Sequence, residues 1–302
     1  MELLEKMNAA LYYIESMLDD EIDNKQLSNI ANCSFYHFQK LFSTLTSISL
    51  SEYIRTRRLD RAAFDLQNSD MHIFEIAIKY GYDSPTAFNR AHNIAPSKLR
   101  TKSGVALKAF PPISFNLSIK GATIMNYKII HINSFRLVGF KLTVSTECAY
   151  QSIPLFWKEN FNNGNFQRLI EVNEKGLNNS SKINGVLGLS ETSDLENYDS
   201  FNYYIATASN KNVPNEMLEI IIPSCTYAVF ECKGIIPNAM QDMIKRVYGE
   251  WLPVSGYEWA NAPDIERYSD GNPLSESFLS EIWLPIKLKQ KENENVPLAN
   301  EG

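Results

Sequence analysis

The sequence predicts a multi-domain protein, in which an all-α double helix-turn-helix domain precedes an α+β domain with duplicated β-α-β-β units. Two similar helix-turn-helix patterns stand about fifty residues apart in the first hundred positions. Pro111 and Pro112 then interrupt the helical pattern, and strand patterns begin near residue 126. The expected divisions are a helical domain over 1–108, a linker over 109–125, an α+β domain over 126–290 and a disordered polar tail over 291–302.

The first helix-turn-helix pattern lies within residues 27–42. Ser28 is small enough for two helices to touch, and Asn32 tolerates the left-handed backbone that a sharp turn requires. Ser34 can cap the second helix, and Phe38 supplies its aromatic core anchor. The second pattern repeats this order from residue 76, with the corresponding residues Ala77, Gly81, Ser84 and Phe88.

Between the two patterns, Ser49 and Glu52 form a capping box that predicts a helix with apolar residues at helical spacing. Four arginines lie on this helix: Arg55, Arg57, Arg58 and Arg61. Although the whole chain carries a net charge of -6, residues 34–108 hold eleven basic against six acidic residues. A segment with a local excess of positive charge can bind DNA phosphates. A solvated surface would also explain the charges, but not the two motifs.

The second helix of the first unit presents two faces. Its polar face carries Tyr36, Gln39 and Lys40, which suit a major groove because glutamine pairs with adenine, lysine with guanine, and an aromatic ring packs on a thymine methyl. For any one of these side chains an ordinary polar surface is the alternative. The opposite, core-facing residues are Phe38, Leu41, Phe42 and Leu45.

Three stretches, 33–42, 53–59 and 76–85, resemble the DNA-binding domain of the AraC/XylS family of bacterial transcription regulators. The resemblance covers roughly residues 5–104. It implies double-stranded DNA and RNA polymerase as partners, with two recognition helices that enter successive major grooves. The charged, helix-forming N-terminus and the cysteines, which we expect to be reduced, predict a cytoplasmic protein. The base contacts that it implies are Tyr36, Gln39 and Lys40 in the first groove and Thr86, Asn89 and Arg90 in the second.

The second unit departs from the family pattern, because Ala91 is followed directly by the segment 92–97 and about four residues are missing. We therefore expect a short second recognition helix, and we expect the first unit to dominate sequence recognition. Alanine at Gln39 and Lys40 should then relax specificity more than alanine at Asn89 and Arg90.

The second domain contains two similar halves, each with a strand region, a helix and two further strands. We expect the helices to cover one face of the sheet, with a cleft between the halves. The first half comprises strands over 127–146, a helix opened by Ser152 and Pro154, and strands near 183–189 and 201–208. The second comprises strands over 219–232, a helix opened by Pro237, and strands near 257–268 and 278–288.

In the last strand, Ile282 and Leu284 alternate with Glu281 and Trp283, so the latter two share one face. A carboxylate beside aromatic rings suits a lipophilic cation. A solvated surface glutamate is the alternative, and the pattern alone does not decide.

The segments 153–157, 251–258 and 281–286 resemble the GyrI-like effector-binding domain, which Rob-like regulators join to AraC-type domains. The resemblance covers roughly 126–288. It implies a small lipophilic or cationic effector in a cleft lined by Glu281, Trp157, Tyr203 and Trp283.

The sequence thus favours a DNA-binding regulator that senses a small molecule. Small-molecule hydrolysis and a protein-interaction role are the alternatives. Against catalysis, the sequence shows no Ser/His/Asp order, phosphate-binding glycine loop or metal-ligand spacing. The four cysteines form no metal cluster, and no apolar run could span a bilayer. We therefore expect neither a metal nor another cofactor, and no membrane association.

Overall fold

The computed structural model describes residues 2–92, 96–100, 110–115, 125–146, 148–174, 183–191 and 200–289. The predicted tail and most of the predicted linker lie outside these residues. Within them, helices occupy the first hundred positions, and strands with a few helices make up the remainder. The predicted fold class is confirmed.

The helical domain contains two helix-turn-helix units joined by a long helix, α4. Its helices are α1 (Glu2–Ser16), α2 (Asn24–Ala31), α3 (Phe35–Thr46), α4 (Leu50–Asn68), α5 (Ile73–Lys79), α6 (Pro85–His92) and α7 (Pro96–Arg100).

The turn between α2 and α3 follows from the predicted residues. Asn32 adopts the left-handed conformation at φ 52°, which ends α2. The hydroxyl oxygen of Ser34 then accepts a hydrogen bond from the backbone N–H of His37 and caps α3. In the second unit, Gly81 at φ +79° makes the equivalent turn.

A buried ion pair fixes α4 to α1. Two guanidinium nitrogens of Arg57 donate to the Glu15 carboxylate at 2.8 Å each, and a third donates to the Phe110 carbonyl oxygen at 2.6 Å. Tyr53 also donates to Glu15, at 2.7 Å. Arg57 therefore holds the first linker residues against the helical domain and is not a surface arginine available to DNA.

The second domain is built on one antiparallel sheet, in the order β1-β6-β9-β8-β3-β4-β2-β5, with β7 paired to β9. The strands are β1 (Tyr127–Ile132), β2 (Phe135–Ser145), β3 (Val186–Glu191), β4 (Ser200–Ala208), β5 (Leu218–Ile222), β6 (Cys225–Lys233), β7 (Tyr257–Trp259), β8 (Asp264–Tyr268) and β9 (Leu279–Leu288). The helices are α8 (Ala149–Asn162), α9 (Asn165–Val172) and α10 (Asn238–Arg246), and α10 continues as a π-helical turn Val247–Trp251 and a 3₁₀ turn Leu252–Val254.

Each half contributes its first strand to the other half. Strand β1 pairs with β6 of the second half, and β5 pairs with β2 of the first half. The two halves meet where β3 pairs with β8. Helices α8 to α10 cover the sheet face that carries Phe140, Ile205 and Ile282, and the helical domain also packs on this face at Phe230 and Leu284.

Candidate functional site

Strand β8 places two carboxylates and a phenol on one face of the sheet. Side chains alternate along a strand, so Asp264, Glu266 and Tyr268 share the face covered by the helices. Glu266 lies opposite Gly188 of β3 and Ile282 of β9. The group therefore lies at the junction of the two halves.

Glu266 is the centre of a hydrogen-bonded aromatic cluster. The hydroxyls of Tyr203 and Tyr268 both donate to Glu266 Oε2 at 2.8 Å. The indole N–H of Trp157 donates to the Tyr203 hydroxyl oxygen at 2.9 Å, and the Trp157 and Tyr268 rings meet edge to face at 5.1 Å. We call these four residues the Glu266 cluster.

Strand β3 must lack a side chain opposite Glu266 for this cluster to form. A Cβ atom on Gly188 would lie 2.3 Å from the Tyr203 hydroxyl and 2.7 Å from Glu266 Oε2. Burial, reinforced by the Glu266 charge, raises the pKa of Tyr203 and of Tyr268 well above the ordinary value. Both phenols therefore stay neutral and act as hydrogen-bond donors to the carboxylate.

The four effector residues expected from the sequence fall into two separate groups. Trp157 and Tyr203 belong to the Glu266 cluster, whereas Glu281 and Trp283 lie on the opposite face of the sheet. There Glu281 forms ion pairs with Arg267 and Lys128, both at 3.2 Å, and accepts a hydrogen bond from Trp283.

Sequence reasoning missed Glu266 and Tyr268. The signal was available in β8, where acidic and aromatic residues at every second position, Asp264, Glu266 and Tyr268, alternate with Ile265. The strand is short and carries two acids, so it resembles a solvated edge when it is considered without its partners.

The first recognition helix, α3, has the predicted core face, because Phe38, Leu41 and Phe42 are buried. We expected its polar face to be exposed, but the structure covers that face. Tyr36 and Gln39 are only 8% and 7% exposed. The Lys40 ammonium forms an ion pair with Asp264 of the second domain.

Two ring contacts accompany this ion pair. Tyr36 packs against Phe201 with ring centroids 5.4 Å apart, and His37 stacks on Trp259 at 5.0 Å. The polar face of α3 is thus covered by the second domain.

The second recognition helix, α6, is short as expected, with eight residues against twelve in α3. Phe88 is fully buried as its anchor. Thr86 and Arg90 are exposed, and the Asn89 side chain lies outside the described part of the chain. Unlike α3, α6 therefore presents exposed polar residues.

A wider depression of about 500 Å³ lies elsewhere, between α8, α9 and the β2 and β5 strands. It is open to solvent and is lined by Phe140, Glu159, Asn160 and Glu216 among others. Because its charged groups are exposed to water, it is a weaker candidate than the partly buried Glu266 cluster.

Among the described residues, no three His, Cys, Asp or Glu side chains are grouped to hold a metal ion. No helix in that part of the chain is long and apolar enough to cross a membrane.

Comparison with known families agrees with this two-part architecture. Residues 125–287 match the GyrI-like small molecule binding domain, and residues 27–101 match a helix-turn-helix domain of the AraC type. The chain belongs to the GyrI-like family. It is a transcription regulator that joins an AraC-type helix-turn-helix domain to a GyrI-like domain.

Two curated proteins are similar to this chain over most of their length. The transcriptional regulator Rob of Salmonella typhimurium LT2 is 26% identical, over 85% of this chain and 88% of its own length. The right origin-binding protein of Escherichia coli K12 has the same identity and coverage. For the GyrI-like domain alone, the solved structure of SAV2435 bound to tetraphenylphosphonium is 30% identical, covering 54% of this chain and 94% of that one with a TM-score of 0.48.

Proposed function

We propose that this regulator binds specific DNA sequences through its helix-turn-helix units and binds a lipophilic cation at the Glu266 cluster. The observation that supports the effector site is the partly buried Glu266 carboxylate, which is flanked by the rings of Trp157, Tyr203 and Tyr268.

The chemistry of the cluster suits a cation with an apolar surface. A carboxylate partly removed from water attracts positive charge more strongly than a solvated one, because the surroundings screen it less. The faces of tyrosine and tryptophan rings attract cations as well, and they also favour contact with apolar groups. A neutral ligand of the same shape would gain only the apolar contact with the rings.

Tetraphenylphosphonium is a suitable probe, because its charge is surrounded by four aromatic rings. Its binding to the full chain can be followed by quenching of tryptophan fluorescence. We expect Glu266→Gln to weaken binding about tenfold or more, which corresponds to the loss of one partly buried charge interaction. Neutral triphenylphosphine oxide should bind weakly to both proteins.

Glu281→Gln is the matched control, because it removes a carboxylate from the opposite sheet face. It should leave tetraphenylphosphonium binding unchanged. If Glu281→Gln weakens binding and Glu266→Gln does not, the effector lies at the residues expected from the sequence and our assignment to Glu266 is wrong.

For DNA, we retain the two sets of base contacts, Tyr36, Gln39 and Lys40 in the first unit and Thr86, Asn89 and Arg90 in the second. Duplexes selected from a random library would give the target site. Alanine at Gln39 and Lys40 should then relax specificity more than alanine at Asn89 and Arg90, and the reverse order would show that the second unit dominates.

We further propose that the regulator acts with RNA polymerase and is not an enzyme. Transcription in vitro from a template that carries the selected site should change on adding the protein. Unchanged transcript levels would refute the role with polymerase. If the protein instead turns over a bound ligand, and Glu266→Gln abolishes that turnover, the hydrolase alternative is favoured.

A further inference from the structure

Recognition helix α3 lies at the junction of the two halves, beside the Glu266 cluster that we assign to the effector, and we call this junction the effector cleft. Tyr36 belongs to the apolar cluster that contains Phe201 and Tyr203, and Tyr203 is itself part of the Glu266 cluster. Lys40 pairs with Asp264, which is two residues from Glu266 on the same face of β8. The helix therefore contacts both halves of the GyrI-like domain at their junction.

The two side chains that α3 inserts have the chemistry expected of the effector. Tyr36 supplies an aromatic ring, and the Lys40 ammonium supplies a positive charge 5.8 Å from the centre of that ring. A small cavity lies beside this ion pair, and its walls include Lys40, Asp264, Glu266 and Tyr248. Together, Tyr36 and Lys40 present an aromatic cation to an acidic, aromatic cleft.

The same contacts exclude DNA from α3. A recognition helix in a major groove must expose its polar face to base edges. Here Tyr36 and Gln39 are buried and Lys40 is paired, so the second domain occupies the space that the duplex would need. Thr86 and Arg90 of α6 stay exposed, so the second unit is not covered in this way.

The covering contact is imperfect in its hydrogen bonding. Gln39 Oε1 and Asp264 Oδ1 are both buried, and neither has a hydrogen-bond partner among the described residues. Buried polar atoms without partners disfavour the state that buries them. Release of α3 would return both atoms to water or offer them to other partners, which lowers the cost of opening the contact.

We propose that Tyr36 and Lys40 act as an internal ligand of the effector cleft. While α3 is docked, it cannot bind DNA, and it leaves no room for the effector. This inference rests on the proposed effector site. A lipophilic cation that takes the place of Tyr36 and Lys40 releases α3 and favours DNA binding. DNA and effector then favour the same released state, so each must increase the affinity for the other by the same factor.

The test uses variants of the second domain only, so that the DNA-contacting residues stay intact. Trp259→Ala removes the ring that stacks on His37, and Asp264→Asn removes the charge that pairs with Lys40. The matched control is Glu258→Gln, at the position next to Trp259. The Glu258 carboxylate pairs with the exposed Lys287. The DNA probe is a duplex selected from a random library with the full-length Trp259→Ala protein, and thermal melting verifies that each variant is folded.

Without any cation, we expect Trp259→Ala and Asp264→Asn each to bind the selected duplex about tenfold more tightly than the wild type, because a buried ring contact or charge pair is worth roughly that factor. Glu258→Gln should match the wild type. Tetraphenylphosphonium should raise the DNA affinity of the wild type and have little effect on that of Trp259→Ala, which is already released.

Equal DNA affinity of the wild type and of both folded variants would overturn the docking proposal, whatever the cation does. If the variants bind more tightly but tetraphenylphosphonium binds without changing the wild-type DNA affinity, competition between effector and helix is refuted. Failure of the effector site itself would appear separately, as cation binding that is insensitive to Glu266→Gln.

Discussion

Acid should release α3 from the second domain, because docking buries the imidazole of His37. In the docked state this ring stacks on Trp259 at 5.0 Å, and its Nδ1 lies 2.7 Å from the Ser34 hydroxyl. Burial lowers the pKa of His37 from 6.5 to about 4, although the nearby Asp264 carboxylate raises it, and the Lys40 charge lowers it further. On a released helix the ring would return to its ordinary value.

The direction of the effect follows from proton counting. Between pH 4 and 6.5 the docked state binds fewer protons than the released state, so the docking free energy becomes less favourable as the pH falls. With pKa values of about 4 and 6.5, the docking equilibrium changes about tenfold, or about 1.4 kcal/mol, between pH 7.5 and 5.5. Almost none of this change occurs above pH 7.5.

The assay compares DNA affinity at pH 7.5 and 5.5, at constant ionic strength, for the wild type and for Trp259→Ala. The duplex and the recognition helices are the same in both proteins, so any pH dependence of the DNA contacts themselves cancels. Because the wild type binds DNA about tenfold more weakly than the released variant at pH 7.5, a tenfold weaker docking equilibrium should leave about half of its molecules released at pH 5.5. The wild type should therefore gain about fivefold more affinity at pH 5.5 than the variant does. In the free wild-type protein, NMR titration of the imidazole should show His37 protonating well below pH 6.5.

Equal pH effects in the two proteins would refute this reasoning. So would a His37 resonance that titrates near pH 6.5 in a wild-type protein shown to be docked. His131→Gln is the control for the other histidines and should leave the pH effect unchanged, because the His131 side chain is exposed on the edge strand β1.

Three further predictions follow from the geometry. Gly188→Ala should lower stability by about 1–3 kcal/mol and weaken tetraphenylphosphonium binding, since the new methyl group would displace Glu266 from its hydroxyl partners; unchanged melting and binding would contradict the described packing. Arg57→Met should lower the free energy of unfolding in urea by about 3–5 kcal/mol because it leaves Glu15 unpaired, and a second change, Glu15→Met, should recover part of the loss. Asn32→Val should cost about 1–2 kcal/mol in the same assay, since a β-branched residue fits the left-handed conformation poorly, whereas Asn32→Gly should be nearly neutral.

The sequence predicted the features that depend on neighbouring residues. Ser34, Asn32 and Gly81 end or begin helices as expected, because capping and positive φ are local requirements. The buried face of α3 was also predicted, since helical spacing alone places Phe38 and Phe42 on one side. The duplicated halves were visible from the repeated order of strands and helices.

The features that depend on distant parts of the chain were not predicted. Strand alternation correctly separated Glu281 from Ile282, but it does not say which face the helices cover. Topology decides this, and it places the helices on the face of Ile282 and Glu266. Likewise, nothing in α3 indicates that Tyr36 and Lys40 meet residues more than 150 positions away, because a groove-binding face and a protein-binding face need the same polar and aromatic side chains.

Because β1 and β5 are exchanged, the two halves of the second domain depend on each other for folding. Each half lacks an outer strand until the other half has formed, so a fragment with only one half would expose an unpaired edge that invites aggregation. The domain should therefore melt as one cooperative unit, and truncations between the halves should yield insoluble protein. Such interlacing is also what results when two copies of a small strand-swapped dimer are joined end to end in a single polypeptide.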